Sequence, residues 1–192
     1  LMTPFALGQK VSFIENIGPE LSNFNLEKFL DNTNENFTKK LYPIYKAIEI
    51  TRRKLDINKS LISFVGAPWT LLIYMLKIKK NKTELDVNKL QGINLDIVLI
   101  LNKLIEFLCI HIKNQIDAGA DIIQIFDSWA GLAPNKQIKE YCFIPNAKLV
   151  EFCKREKIIN ICFPKGIREN YEEFNKIVKP DGLNLDYEID PL

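Results

Sequence analysis

Ala118-Gly119-Ala120-Asp121-Ile122-Ile123-Gln124-Ile125-Phe126-Asp127-Ser128 carries the end of a helix, a turn, a strand and a polar strand end in one short run. Upstream, Asn94 to Ala118 places Ile97, Leu101, Leu104, Ile105, Leu108, Ile112 and Ile116 on one helical stripe. Gly119 stands just beyond its last turn, where a C-terminal cap belongs. Asp121 to Phe126 is then too short and too rich in isoleucine for another helix and reads as a strand. The same grammar extends in both directions. Leu61-Ile62-Ser63-Phe64-Val65 is an apolar strand closed by Gly66-Ala67-Pro68, with helical spacing from Thr70. Downstream come a helix over Ile144 to Glu156, a strand over Lys157 to Phe163, a helix over Arg168 to Val178 and a strand over Gly182 to Asp186.

Strand and helix thus alternate four times with short connections, which predicts an α/β protein with a parallel sheet. The strands are apolar at successive positions, so the expectation is burial on both faces. The first sixty residues differ. Gln9 to Ile14 fits a short strand, Ile17-Gly18-Pro19 a turn, Asn23 to Asn36 a surface segment or peripheral helix, and Tyr42 to Leu55 a helix. Four βα units do not close an eight-stranded barrel, which takes about 250 residues. They fit either the middle of such a barrel or a small open sheet. Residue 1 is leucine and Asp190-Pro191-Leu192 directly follows an apolar run, so residues 1–192 are read as one domain cut at both ends.

The 192 residues are 47% hydrophobic and 26% charged with a net charge of +2, which excludes disorder, collagen and a polybasic arm. Residues 1–96 hold 14 Lys/Arg against 10 Asp/Glu and residues 97–192 hold 12 against 14, so neither half has the field that nucleic acid demands. Ile93 to Ile112 is long and apolar, but Asp96, Lys103 and Glu106 interrupt it, which favours a core helix over a membrane span. Cys109, Cys142, Cys153 and Cys162 show no CxxC spacing and read as buried free thiols of a cytoplasmic protein.

Functional groups in such folds collect where strands end. Three ends stand out. At Phe64-Val65-Gly66-Ala67-Pro68-Trp69-Thr70 with Tyr74 one turn into the helix, small residues permit close approach of a ligand and Tyr74 can point its hydroxyl back; a tight turn with a core Trp and Tyr is the plain alternative. At Gln124-Ile125-Phe126-Asp127-Ser128-Trp129-Ala130-Gly131 a carboxylate and a hydroxyl can bind or polarise a ligand, or cap a helix. Asp186 ends the last strand. His111, the single histidine, lies inside the long helix and reads as structural. Lys77, Lys79, Lys80 and Lys82 read as a solvated helix end, and no phosphate-loop or GxSxG motif occurs.

In order, Pro4-Phe5-Ala6-Leu7-Gly8-Gln9-Lys10-Val11, Gly18-Pro19, Gly66-Ala67-Pro68-Trp69-Thr70 with Tyr74-Met75, Ala118-Gly119-Ala120-Asp121, Gln124 to Gly131 and Gly182-Leu183-Asn184-Leu185-Asp186 together resemble the uroporphyrinogen decarboxylase family. The resemblance implies an incomplete (β/α)8 TIM barrel with about four of the eight βα units present, spanning 1–192. It also implies a cofactor-free, cytoplasmic, homodimeric carboxy-lyase of haem biosynthesis. That family removes carbon dioxide from the four acetate side chains of uroporphyrinogen III to give coproporphyrinogen III, through a protonated pyrrole that acts as electron sink. By position, Tyr74 corresponds to a substrate-binding tyrosine, Ser128 to a serine that binds a substrate carboxylate, and Phe126 to a residue whose backbone lines the cleft. No metal site is implied. The family's arginines and key aspartate fall before Leu1 and its late histidine after Leu192, which implies an inactive isolated segment. Where the family has a glycine-rich stretch after Tyr74-Met75, Leu76-Lys77-Ile78-Lys79-Lys80 stands here. Two other readings are a corrinoid- or coenzyme M-linked methyltransferase of the same superfamily, with zinc in the C-terminal half, and a non-catalytic porphyrin-binding half barrel.

Overall fold

A computed structural model describes residues 1–15, 18–81, 84–92, 94–187 and 189 of the chain. A short helix α1 (Met2–Ala6) leads into an antiparallel hairpin of β1 (Val11–Ile14) and β2 (Gly18–Leu21). Next come α2 (Leu26–Leu30) and the long α3 (Asn34–Lys54), capped by the Thr33 side chain on Asn36 N–H at 3.2 Å. The repeating part follows as β3 (Ile62–Gly66), α4 (Pro68–Leu76), α5 (Val87–Gln91), α6 (Ile97–Asp117), β4 (Ile122–Asp127), α7 (Ile144–Arg155), β5 (Ile159–Pro164), α8 (Tyr171–Val178) and β6 (Gly182–Leu183). Strands β3 to β6 form one parallel sheet in sequence order.

The alternation read from the sequence therefore holds, with informative differences. Helix α4 begins at Pro68 rather than Thr70, because proline supplies the helical φ at a position whose N–H needs no partner. Strand β6 stops at Leu183, short of the expected Asp186. There Asp186 turns away and its carboxylate accepts the Tyr171 hydroxyl at 2.9 Å and the Gly166 N–H at 2.6 Å. Gly18 and Pro19, expected in a turn, belong to β2; Ile17 lies outside the described residues. The segment Asn23 to Asn36 holds both α2 and the start of α3. A π-helical turn at Lys139–Phe143, unmarked in the sequence, precedes α7. Gly119 adopts φ +109°, as the cap expectation required, and ends α6.

The two sheet faces are unlike, contrary to the expectation of burial on both. Ser63, Val65, Ile123, Ile125, Asp127, Asn160 and Cys162 lie under the helical layer of α4, α6 and α7, and all are buried. On the opposite face Ile62 is 51% exposed, Phe64 65% and Ile159 55%. The same alternating run of apolar residues thus serves a packed helical interface on one side and an open aromatic surface on the other. Among the described residues no helix is long and apolar enough to cross a membrane, and no group of three or more His, Cys, Asp or Glu side chains gathers as metal ligands.

Candidate functional site

Register decides what meets at the C-terminal edge of the sheet. Gly66 pairs with Phe126, so the turn opening α4 and the turn after β4 lie side by side, joined by the Ala67 N–H donating to the Phe126 carbonyl at 2.8 Å. Thr70, in the first turn of α4, donates its hydroxyl to Asp127 Oδ1 at 2.7 Å and accepts the Trp129 N–H at 3.1 Å. Trp69 is fully buried, stacks on Tyr141 at 5.3 Å and donates Nε1 to the Trp129 carbonyl at 3.0 Å. Ser128 is thereby held between two anchored neighbours.

Asp127 does not reach a ligand. Its side chain lies on the helical side of the sheet, 1% exposed, and also accepts Asn146 Nδ2 at 2.8 Å and the Cys142 thiol at 3.0 Å. Burial pushes its carboxyl above the ordinary range, opposed by these donors. Of the alternatives weighed for this residue the structural one is nearer: the carboxylate ties the first turn of α4 to β4. Burial also drives up the four thiols, Cys109 to about 11 and Cys153 to about 12. All four cysteines are free.

Tyr74, Phe126 and Ser128 are brought together. All three line one cavity of about 860 Å3, together with Phe64, Gly66 and Thr70. Tyr74 is the one exposed residue of α4, 39% accessible in a helix otherwise buried around its whole circumference. Its ring meets Trp129 edge to face at 6.2 Å. No hydrogen bond joins the Tyr74 or Ser128 hydroxyl to another described residue. The Phe126 carbonyl accepts the Ala67 N–H, and the Phe126 ring stands between Phe64 at 5.9 Å and Phe163 at 6.3 Å. This aromatic row can carry a large flat ligand, while the two hydroxyls can donate to its anionic substituents.

His111 lines the rear of the same cavity, 4% exposed, with Nδ1 3.0 Å from the Tyr45 hydroxyl; burial lowers its pKa to about 4. It is neutral and built into the core, and Gln115 beside it bonds Ser63. The lysine run is not simply a solvated helix end. Lys77 takes a left-handed conformation at φ +52° to end α4 and pairs with Glu20 at 3.2 Å. Lys80 pairs with Glu84 at 3.4 Å, and Lys79 lies over the Trp129 ring, 3.6 Å from its centroid. Lys82 lies outside the described residues. Phe64 stands in the first strand end that the sequence marks, but as part of a buried apolar run, whereas its ring is exposed; Lys79 is placed by a fold-back that has no local signature.

A sequence model of the family described as Uroporphyrinogen decarboxylase (URO-D) matches residues 1–192. Among similar curated proteins, a uroporphyrinogen decarboxylase of Orientia tsutsugamushi (strain Ikeda) is 38% identical over 98% of this chain and 56% of its own length. One from Rickettsia bellii (strain RML369-C) is 37% identical over 97% and 56% respectively. The chain thus spans about half the length of the curated relatives it matches. In structure it resembles a methyltransferase from Methanosarcina mazei, with TM-score 0.73 and 16% identity over 96% of this chain and 54% of that one. That likeness is one of fold, TIM-barrel-like α/β.

Proposed function

The chain belongs to the uroporphyrinogen decarboxylase family, and from that premise we propose that it supplies one wall of a cleft in which the acetate side chains of uroporphyrinogen III lose carbon dioxide to give coproporphyrinogen III. The observation that carries this reading is the convergence of Tyr74, Ser128 and Phe126 on a single cavity that follows β3, between it and α3, to the C-terminal ends of β3 and β4. In this reading the Tyr74 and Ser128 hydroxyls donate to substrate carboxylates and fix which acetate faces the reacting position. The ring of Phe126, with Phe64 and Phe163 beside it, bears on the macrocycle. Loss of carbon dioxide leaves an electron pair that a protonated pyrrole accepts, so the site needs a proton donor for that ring as well as anchors for its carboxylates.

The described lining of the cavity supplies the anchors. His111 is the one imidazole there, and with a pKa near 4 behind the sheet it is no proton donor at neutral pH. The 192 residues alone are therefore expected to bind the tetrapyrrole without turning it over. The open aromatic face of the sheet, with Phe64 65% exposed, supports reading the four parallel strands as about half of a (β/α)8 barrel whose interior this face would line. The family resemblance extends the proposal to a cofactor-free, cytoplasmic enzyme that works as a homodimer. Binding of uroporphyrin, the stable oxidised analogue, to wild type, Tyr74→Phe and Ser128→Ala tests the site. Each variant should bind roughly 10- to 100-fold more weakly with an unchanged melting temperature, since one hydrogen bond to a charged group contributes roughly 1.5–3 kcal/mol. Wild-type binding in both variants, or turnover by the 192 residues, would overturn the corresponding part.

A further inference from the structure

The cavity that Tyr74, Phe126 and Ser128 share takes in only part of the aromatic row. Phe163, on β5, continues the row past Phe126 with ring centroids 6.3 Å apart, so a flat ligand resting on it extends beyond Ser128 toward the loop after β5. Among the described residues that line the cavity there is no lysine or arginine, and neutral hydroxyls orient a carboxylate without balancing its charge. A polyanionic ligand on this surface needs a cation from the rim.

Lys165 stands at that rim. Asp127 pairs with Pro164, so Ser128 and Lys165 follow side by side as the first residues past β4 and β5. Along β5, Asn160, Cys162 and Pro164 are buried toward the helical layer and Phe163 belongs to the open face; Lys165 is next in this alternation and is exposed. Its backbone is fixed. The N–H donates to the Asp127 carbonyl at 3.1 Å and the carbonyl accepts the Gly131 N–H at 2.9 Å, so Lys165 bridges both ends of the turn that holds Ser128. Its ammonium, by contrast, makes no hydrogen bond or ion pair with another described residue. The Asp186 carboxylate, which reaches the next residue in this loop, is taken by the Gly166 N–H at 2.6 Å and the Tyr171 hydroxyl at 2.9 Å. A cation on a rigid mount, with no partner to give up, meets an arriving carboxylate at the cost of side-chain freedom alone.

We infer that Lys165 is the cation that pairs with a ligand carboxylate at the Phe163 end of the aromatic row, beyond the cavity that Tyr74 and Ser128 line, and so sets the preference of this site for ligands with many carboxylates. The inference rests on the proposed reading of Tyr74, Ser128 and the aromatic row. The test is titration of the intact protein with uroporphyrin I, which has eight carboxylates, and coproporphyrin I, which has four, followed by ligand fluorescence at low and high salt. Lys165→Gln should weaken uroporphyrin binding about fivefold at low salt, flatten its salt dependence and narrow its advantage over coproporphyrin, with an unchanged melting temperature; Lys165→Arg should restore all three. Lys154→Gln removes the same charge from an exposed position on α7 and should bind like wild type. Tyr74→Phe serves as the control for the site. If Tyr74→Phe weakens binding while Lys165→Gln matches wild type, the role of Lys165 is wrong and the site stands. Equal weakening in Lys165→Gln and Lys154→Gln also overturns it, because net charge is then the cause, and so does a Lys165→Arg variant that binds no better than Lys165→Gln. If wild type binds neither porphyrin, or Tyr74→Phe and Ser128→Ala bind like wild type, the reading of the site itself fails and the inference falls with it.

Discussion

Thr70 and Asp127 are joined by a buried hydrogen bond of 2.7 Å that fastens the first turn of α4 to the last residue of β4. The Thr70 hydroxyl is spent twice, since it also accepts the Trp129 N–H at 3.1 Å. The turn carrying Ser128 is therefore clamped from both sides by one side chain. Thr70→Val keeps the shape but leaves Asp127 Oδ1 and the Trp129 N–H without that partner. We expect a loss of roughly 1–3 kcal/mol in urea unfolding, together with weaker uroporphyrin binding through the displaced Ser128. A variant as stable as wild type would show that the clamp is not needed.

Gly131 predicts the rigidity of the same turn from the other end. A Cβ at this position would stand 2.2 Å from the Gly166 carbonyl oxygen, a backbone atom that no side-chain rearrangement can move aside. Gly131 N–H also donates to the Lys165 carbonyl at 2.9 Å, tying the loop after β4 to the loop after β5. Gly131→Ala should therefore cost about 1–3 kcal/mol by forcing the two backbones apart, read as a lower denaturation midpoint. Gly92→Ala, at an exposed turn where the nearest atom stands 3.2 Å away, is the milder comparison.

The turn also marks where sequence stopped being informative. Alternation of Leu61–Val65, Asp121–Phe126 and Lys157–Phe163 with helical runs was enough for the parallel sheet, because period and length are local properties. That Ser128 directly follows a strand end and that Tyr74 lies in the helix after another is equally legible. Their convergence depends on Gly66 lying level with Phe126, a long-range register that neither segment encodes alone. The open face of the sheet differs from the burial on both sides that the sequence predicts, because apolar residues look the same whether a helix covers them or not; Phe64 is 65% exposed. Asp127 reads as a ligand-facing carboxylate until strand alternation turns it under α4.

Helix α8 ends with Lys179 at φ +52°, ψ +52°, an exposed lysine in a conformation that glycine adopts without penalty. The left-handed region costs a residue with a Cβ roughly 1–2 kcal/mol. Lys179→Gly relieves that strain but adds freedom to the unfolded chain, so the net expectation is stabilisation by about 0.5–1 kcal/mol. Thermal unfolding should show a rise of a few degrees, and a fall would mean that the lysine side chain contributes contacts outweighing its strain.

His111 makes the fold sensitive to acid. Burial lowers its pKa to about 4 from an ordinary value of 6.5, so between these values the unfolded chain binds the proton that the folded chain refuses. Its contribution is complete above pH 6.5 and is lost progressively as the pH falls toward 4, by about 3 kcal/mol in all. Asp127, whose carboxyl is raised by burial, acts in the opposite direction, its contribution being complete below its ordinary value of 3.8 and declining as the pH rises. The informative quantity is therefore the difference between wild type and His111→Gln, which retains a polar partner for the Tyr45 hydroxyl and leaves Asp127 in place. Urea unfolding at pH 4.5, 5.5 and 7 should show the gap in stability between the two proteins shrinking or reversing toward low pH. Parallel curves would place the acid sensitivity elsewhere and would mean that the ring of His111 reaches protons without unfolding.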